Sequence, residues 1–199
     1  FVLAEDTRES KKLLDKYDIQ TKLISYRDQN HEKMVEKIQE KLDMGLDLAL
    51  ISDSGTPLIS DPGYKLIKYL REQKYEIVSI PGPSALISAL SVSGLATDRF
   101  VFLGFLPKSD KKRIRILNDY KELHNTIVVY ESPNRLMKLL ELLKEELGDV
   151  TVSLSKDISK LREKYYYGNI ERVIEDLEDD GFSENPKGEF VCVVNPEGN

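Results

Sequence analysis

Short apolar runs alternate with amphipathic segments along the 199 residues of the chain. Leu48 to Ile51 is a continuous apolar run, which is typical of a strand buried on both faces of a parallel sheet. Apolar runs predict further strands at 1–3, 23–24, 77–80, 100–105, 127–130, 150–154 and 190–194. Apolar positions spaced by three and four residues predict the helices between them. Strands that alternate with helices are typical of an α/β fold.

A polar loop, Ser52 to Pro57, follows the apolar run that ends at Ile51. Asp61 and Pro62 then predict the start of a helix, with Asp as the N-cap and Pro as the first helical residue. A loop that leaves the carboxyl end of a buried strand and enters a helix is where open α/β sheets bind ligands. The alternative is an ordinary strand–turn–helix connection.

A second junction of this kind is formed by residues 81–85, Pro-Gly-Pro-Ser-Ala, between a predicted strand and a predicted helix. Ser84 and Ala85 would present backbone N–H groups at the helix start, where anions bind favourably. Their small side chains would also let a flat ring approach the backbone. Tight packing of the helix on the sheet is the alternative explanation for these small residues.

The composition of the chain changes near Thr97 to Arg99, and we place a domain boundary there, between domains 1–97 and 98–199. The net charge of -6 argues against a general nucleic-acid coat. A basic run nevertheless follows the boundary, consisting of Lys108, Lys111, Lys112, Arg113 and Arg115. Such a run indicates either a solvated helix face or a surface that contacts phosphate groups.

Several kinds of chemistry are not indicated by the sequence. It contains neither a Gly-x-Gly-x-x-Gly motif nor a Walker-A loop. His31, His124 and Cys192 are its only histidines and cysteine, so we expect neither a metal site nor a Ser-His-Asp triad. Cys192 is predicted to be a buried strand residue, and a single cysteine fits a cytoplasmic protein. No apolar run approaches the roughly 20 residues that span a bilayer, so no membrane association is expected.

Five motifs in this order carry a resemblance to a known family. They are Ala-Glu-Asp-Thr-Arg at 4–8, Ser-Asp-Ser-Gly-Thr-Pro-Leu-Ile-Ser-Asp-Pro-Gly at 52–63, Pro-Gly-Pro-Ser-Ala at 81–85, Gly-Phe-Leu-Pro at 104–107 and Tyr-Glu-Ser-Pro-Asn-Arg at 130–135. Together they resemble the tetrapyrrole methylase superfamily, over nearly the whole chain. The resemblance implies two α/β domains with S-adenosylmethionine in the cleft between them, and a homodimer. It also implies that the family's first strand would precede Phe1.

Within this superfamily, the motifs look like those of members that 2'-O-methylate a cytidine in the 16S rRNA of the small ribosomal subunit. The resemblance therefore implies that this RNA is the substrate and partner. Two other functions stay open. One is a methyltransferase that acts on a corrin-type ring or on a modified protein, for which no basic surface is needed. The other is a cofactor-binding module without catalysis.

The resemblance also implies roles for individual residues. The implied cofactor-binding residues are Asp53, Ser54, Gly55, Thr56, Pro57, Ser84, Ala85, Tyr130 and Leu154. The implied catalytic residues are Glu5, Arg8, Glu131 and Lys160, and the general base is left open among Glu5, Asp6, Glu131 and Lys160. The implied RNA-binding residues are Lys108, Lys111, Lys112, Arg113, Arg115 and Arg135, since an acidic enzyme that acts on RNA needs a local positive surface.

Overall fold

The computed structural model describes residues 1–196. The chain divides into two compact units, Phe1–Ser84 and Ala85–Asn199. This division lies before the 97/98 boundary that we placed from composition, because the helix Ala85–Val92 packs on the sheet of the second unit. No helix in the described part of the chain is both long and apolar enough to cross a membrane.

The first unit is built on a three-stranded parallel sheet in the order β2-β1-β3. Its strands are β1 (Val2–Ala4), β2 (Leu23–Ser25) and β3 (Ala49–Ile51). Its helices are α1 (Thr7–Lys16), α2 (His31–Asp43) and α3 (Tyr64–Glu72), with a 3₁₀ turn at Asp28–Asn30. Leu3, Ile38 and Leu66 are almost completely buried, so the core lies where α2 and α3 cover the sheet.

Two predictions about strands in this unit are wrong. Ala49 is exposed and Leu50 and Ile51 are only half-buried, so β3 is not buried on both faces. The reason is that β3 lies at the edge of the described sheet, where only β1 pairs with it. The apolar run 77–80 is not assigned as a strand, and Val78 and Ile80 are 68% and 79% exposed. A strand requires hydrogen-bonding partners on a neighbouring strand, which local hydrophobicity does not supply.

The predicted start of a helix at Asp61 and Pro62 is also wrong, since α3 begins at Tyr64 with Gly63 as its N-cap. Gly63 has a φ of 131°, and a Cβ there would lie 2.8 Å from Leu50 Cδ2. Its N–H donates to Asp28 Oδ1 at 3.1 Å. The end of the loop is therefore fixed by the close approach of the Leu50 side chain to the Gly63 backbone and by a long-range hydrogen bond to Asp28. A capping pattern reveals neither contact.

The second unit contains a five-stranded mixed sheet in the order β4-β5-β8-β6-β7. Its strands are β4 (Phe100–Phe105), β5 (Thr126–Glu131), β6 (Thr151–Lys156), β7 (Lys164–Asn169) and β8 (Phe190–Val194). Its helices are α4 (Ala85–Val92), α5 (Asp110–Lys121), α6 (Pro133–Leu147) and α7 (Ile170–Asp179). The β4–β5 pair is parallel and the other pairs are antiparallel.

The central strand β8 shows how this sheet separates two layers of core. Val191 and Val193 pack towards the cluster that contains α4, whereas Phe190, Cys192 and Val194 belong to the larger cluster on the other face. This alternation follows from the two-residue period of a strand. Cys192 is fully buried, as predicted, and burial raises the pKa of its thiol to about 12.

Candidate active site

The polar loop after β3 is organised by its own small side chains. Ser52 Oγ donates to the carbonyl oxygens of Ser54 and Gly55, at 3.1 and 3.0 Å. Thr56 Oγ1 donates to the carbonyl oxygen of Pro83 at 2.8 Å. The first and second predicted cofactor loops are thereby joined within the first unit, although 27 residues separate Thr56 from Pro83 in the chain.

Three carboxylates come together beside this loop. The N–H of Asp6 donates to Asp53 Oδ1 at 3.1 Å, which orients the Asp53 side chain. Burial raises the pKa of Asp61; a hydrogen bond from Ser52 opposes the shift, and the negative charges of Glu5 and Asp53 add to it. Such a cluster favours a cationic ligand group, because a positive charge would offset the repulsion among the carboxylates.

Asp6 and Arg8 form a pair at the start of α1. Asp6 is the N-cap and accepts the N–H of Arg8 at 2.9 Å. The Arg8 guanidinium also bonds to Asp6, and these contacts hold the pKa of that carboxyl well below its usual range. Asp6 is therefore a poor proton acceptor. Glu5 is different: its carboxylate is 30% exposed, and its ion pair with Arg27 is loose, at 4.0 Å.

In the second unit, Tyr130 lies at the N-terminal turn of α4. The N–H of Leu86 donates to the Tyr130 hydroxyl at 2.9 Å. The rings of Phe102 and Phe105 pack edge-on against Tyr130, with centroids 4.8 and 5.7 Å away. The predicted cofactor residues Ala85 and Tyr130 are thus brought together, although 44 residues separate Leu86 from Tyr130.

Glu131 lies in a buried ion-pair cluster, where it is not placed to accept a proton from a substrate. Its side chain is 0% exposed, and its Oε2 lies 3.1 Å from both Arg113 Nη2 and Arg135 Nη2. Its Oε1 accepts the N–H of Ser132 at 2.8 Å. Both oxygens therefore have partners inside the protein, and the prediction of Glu131 as a catalytic residue is not supported by this geometry.

The same cluster holds two predicted RNA-binding residues, and the burial of Arg113 makes its prediction wrong. The Arg113 side chain is 2% exposed, and its Nε donates to the carbonyl oxygen of Pro107 at 2.7 Å. Arg135 Nη2 donates to the carbonyl oxygen of Leu106 at 2.5 Å. Both guanidinium groups tie the segment after β4 to Glu131; Arg113 is thereby buried away from phosphate groups, whereas the Arg135 side chain, 25% exposed, has its Nη2 group engaged by the protein.

The remaining predicted residues of the second unit differ in burial and in ion pairing. The side chain of Leu154 is 0% exposed within the main core, so only its backbone is available for the predicted cofactor contact. Lys160 forms an ion pair with Glu189 at 2.6 Å. Lys108, Lys111 and Lys112 are exposed around the start of α5 and form no ion pair with any described residue, whereas Arg115 lies 3.9 Å from Asp119.

Comparison with known proteins identifies the family. Residues 1–174 match the family model described as Tetrapyrrole (Corrin/Porphyrin) Methylases. The chain belongs to this family. Its α/β fold is confirmed by two solved methylase structures. A cobalt precorrin-4 methyltransferase matches with a TM-score of 0.65 and 15% identity, covering 96% of this chain and 82% of that protein. A uroporphyrin-III-C-methyltransferase from Thermus thermophilus matches with a TM-score of 0.56 and 19% identity, covering 89% of this chain and 75% of that protein.

Curated members of the methylase family are more similar in sequence. A Synechocystis protein named Ribosomal RNA small subunit methyltransferase I is 41% identical over 97% of this chain and 68% of its own length. A protein of the same name from Halalkalibacterium halodurans is 39% identical over 100% of this chain and 66% of its own length. Another from Thermotoga maritima is 38% identical over 97% of this chain and 85% of its own length. The chain thus spans about two thirds of the first two relatives.

The methyl donor of this methylase family is S-adenosylmethionine, and the first unit has features that fit it. Gly55 has a φ of 76°, in the left-handed region that favours glycine, and a Cβ there would only reach van der Waals contact with the Pro83 carbonyl oxygen, at 3.7 Å. The nearby carboxylates of Asp53 and Asp61 suit a ligand that carries a sulfonium and an ammonium group. Among the described residues, no group of three or more His, Cys, Asp or Glu could hold a metal ion.

Two residues beside the candidate site are not indicated by the sequence pattern. The sequence pattern predicts Asp61 as a helix cap, whereas in the structure it belongs to the carboxylate cluster. The backbone N–H of Leu86 donates to the Tyr130 hydroxyl, a contact that no pattern of side chains indicates. A signal for Asp61 was present, because it lies within the same motif as Asp53.

Proposed function

We propose that this protein transfers the methyl group of S-adenosylmethionine to the ribose 2'-hydroxyl of a cytidine in the 16S rRNA of the small ribosomal subunit. The observation that carries the proposal is the 41% identity, over 97% of the chain, to a protein named Ribosomal RNA small subunit methyltransferase I. The five ordered motifs found in the sequence support it independently of that name.

When bound, the cofactor supplies an electrophilic methyl group on a sulfonium. The task of the protein is to align the hydroxyl with that methyl, and such positioning contributes about 7–11 kcal/mol to lowering a barrier. In the first unit, the loop of Asp53, Ser54, Gly55, Thr56 and Pro57, with Ser84, would hold the cofactor. In the second unit, Ala85 and Tyr130 would contribute.

A ribose hydroxyl is a weak nucleophile, so a group that accepts its proton should accelerate transfer by about 10²–10⁴-fold. We assign this role to Glu5. Its carboxylate is partly exposed and loosely paired, whereas Asp6 is held by Arg8 and Glu131 by two arginines. Arg8, which is 86% exposed, would orient the RNA near the reacting ribose, and Lys160 would add positive charge in the second unit.

Binding of RNA by a chain of net charge -6 requires local positive charge. Lys108, Lys111 and Lys112 supply it at the start of α5, where no described carboxylate pairs with them. Arg115 adds a further exposed cation on the same helix. We expect these residues to contact phosphate groups, with affinity that falls as the salt concentration rises.

The proposed reaction is tested by incubating the protein with labelled S-adenosylmethionine and either small ribosomal subunits or a tetrapyrrole, followed by mass spectrometry of nucleosides. We expect 2'-O-methylcytidine from the RNA and no transfer to the tetrapyrrole. Glu5→Gln should lower the rate by about 10²-fold or more at saturating cofactor. Glu9→Gln on the exposed face of α1 is the matched control, and equal rates in the two variants would refute the role of Glu5.

Cofactor binding is tested separately by calorimetric titration of S-adenosylmethionine. Asp53→Ala should weaken binding, whereas Asp47→Ala, which changes another exposed carboxylate of the same unit, should not. Normal affinity in Asp53→Ala would refute the role of the acidic loop. Tight cofactor binding without transfer to any RNA would instead favour a non-catalytic module.

Charge reversal tests the RNA surface. Lys111→Glu/Lys112→Glu should weaken RNA binding and leave cofactor binding unchanged. Lys33→Glu/Lys37→Glu makes the same change on exposed positions of α2. Equal RNA affinity in the two double variants would assign Lys111 and Lys112 to a solvated helix face.

The proposed substrate also has consequences for location and assembly. Small ribosomal subunits are assembled in the cytoplasm, so we infer that the protein acts there. We infer from the family resemblance that it works as a homodimer. Sedimentation of the purified protein tests this inference, and a single monomeric species at all concentrations would refute it.

A further inference from the structure

A pocket in the second unit is lined by none of the residues assigned above to cofactor binding. It has a volume of about 320 Å³ and is lined by Lys156, Arg162, Tyr166, Asp180, Glu184 and Lys187, among others. This volume is at the lower end of the range of about 300–1,000 Å³ that is typical of ligand pockets. We call this site the basic pocket.

The charges of the basic pocket do not balance. Lys156, Arg162 and Lys187 are cations, and no described carboxylate oxygen lies within 4 Å of any of them in an ion pair. Of the two lining carboxylates, Asp180 is already paired with Lys164 and also accepts the Tyr166 hydroxyl at 2.7 Å. With Lys164 counted beside the three lining cations, four positive charges face the two carboxylates Asp180 and Glu184, an excess of two.

The strand register adds to this excess. Lys156 and Lys164 are direct partners across the antiparallel β6–β7 pair, and like charges in that position destabilise a sheet. Asp180 offsets this repulsion in part. The hydrogen bonds from Lys164 and Tyr166 hold the pKa of Asp180 below its usual range, and the charge of Lys156 adds to the effect. One ionised carboxylate thus serves two lysines, and an anionic ligand would supply the missing negative charge.

We propose that the basic pocket is a phosphate-binding site and that its ligand is a phosphodiester group of the RNA substrate. This rests on the proposed function, since it takes RNA as the ligand. Arg162 and Lys187 are exposed on loops at the pocket, where a phosphate on the outside of an RNA strand can reach them. Arginine binds phosphate with two parallel hydrogen bonds, and lysine binds it as a point charge.

The experiment compares two double variants of the whole chain. Arg162→Gln/Lys187→Gln removes two pocket cations that have no ion pair to lose, so the circular dichroism and melting temperature should stay unchanged. Lys144→Gln/Arg172→Gln removes the same charge from exposed positions elsewhere in the second unit. RNA affinity is measured by fluorescence anisotropy with a labelled single-stranded cytidine oligonucleotide over a series of salt concentrations, and methylation of small subunits is measured in parallel.

We expect the pocket variant to bind RNA more weakly. The slope of log affinity against log salt should fall by about 0.7 for each phosphate group that the protein no longer neutralises. The control variant should keep the wild-type slope. Equal slopes in the pocket variant and the wild type, with RNA bound and methylated by both, would refute the proposal alone. If the wild type neither binds nor methylates RNA, the proposed function fails and the proposal fails with it.

A free phosphate is the other source of the same chemistry, and titration with inorganic phosphate distinguishes it. Phosphate that binds the wild type, fails to bind the pocket variant and competes with RNA would support the proposal. Phosphate binding that is abolished in the variant while the RNA slope is unchanged would assign the pocket to a small anion and overturn the assignment to RNA.

Discussion

The buried ion pair between Arg113 and Glu131 offers a sharp test of how the second unit is stabilised. The two side chains are 2% and 0% exposed, and Arg113 Nη2 lies 3.1 Å from Glu131 Oε2. We predict that Glu131→Gln strongly destabilises this unit. The substitution removes one negative charge and little volume, so its effect reports the charge.

The expected magnitude follows from what the substitution leaves behind. Arg113 keeps its hydrogen bond to the Pro107 carbonyl oxygen but becomes a buried charge without a counter-ion. Breaking a buried pair from one side costs about 3–5 kcal/mol. That is a large fraction of the roughly 5–15 kcal/mol by which a typical protein is stable.

The control is on the same helix. Arg115 and Asp119 form an i,i+4 pair at 3.9 Å, with side chains that are 84% and 64% exposed. Such pairs contribute about 0.3–0.5 kcal/mol, so Arg115→Gln should have little effect. Because the chain has two compact units, the free energy of opening is best measured by hydrogen exchange in peptides from β5 and α6, with mass-spectrometric detection.

A second variant separates charge from packing. Glu131→Gln leaves both Arg113 and Arg135 without their counter-ion, whereas Arg113→Met/Glu131→Leu leaves only the partly exposed Arg135 unpaired, so the double variant should be less destabilised than Glu131→Gln alone. A destabilisation of less than about 1 kcal/mol in Glu131→Gln, or one equal to that of Arg115→Gln, would refute the reasoning. It would mean that water or a rearranged partner satisfies Arg113.

Three further predictions concern the two units separately. Gly63→Ala should destabilise the first unit by roughly 1–3 kcal/mol more than Gly45→Ala. The φ of 131° at Gly63 is farther from the left-handed region that other residues can adopt than the φ of 79° at Gly45, and a Cβ at Gly63 would displace the Leu50 side chain, whereas one at Gly45 meets nothing within 4 Å. Equal destabilisation in chemical denaturation would contradict this. Cys192 should resist thiol reagents at mildly alkaline pH, since burial raises its pKa to about 12 and only the thiolate reacts; labelling of the native chain as fast as of urea-unfolded chain would overturn it. The pKa of Asp180 is lowered, so its stabilising contribution is present above the ordinary pKa of 3.8 and disappears at lower pH. The difference in unfolding free energy between the wild type and Asp180→Asn should therefore shrink as the pH falls below 3.8, and a constant difference would refute this prediction.

Local pattern was sufficient wherever an element depends mainly on its own residues. Helix α6 begins where its own sequence favours a start, with Ser132 as N-cap and Pro133 as first residue, and its leucine stripe is buried. Strand β8 has the predicted bounds because five consecutive apolar residues suit a strand covered on both faces. The ordered motifs were likewise sufficient to identify the methylase family, which residues 1–174 confirm.

The tertiary structure decided what depends on distant partners. The run 77–80 has the hydrophobicity of a strand but lacks a partner strand, and β3 is half-buried because it lies at a sheet edge. Arg113 belongs by sequence to a basic run, yet in the structure it is buried and paired with Glu131, which is 18 residues away in the chain. Charge and hydrophobicity are properties of a residue, whereas burial and pairing are properties of its neighbours, and only the folded chain brings those neighbours together.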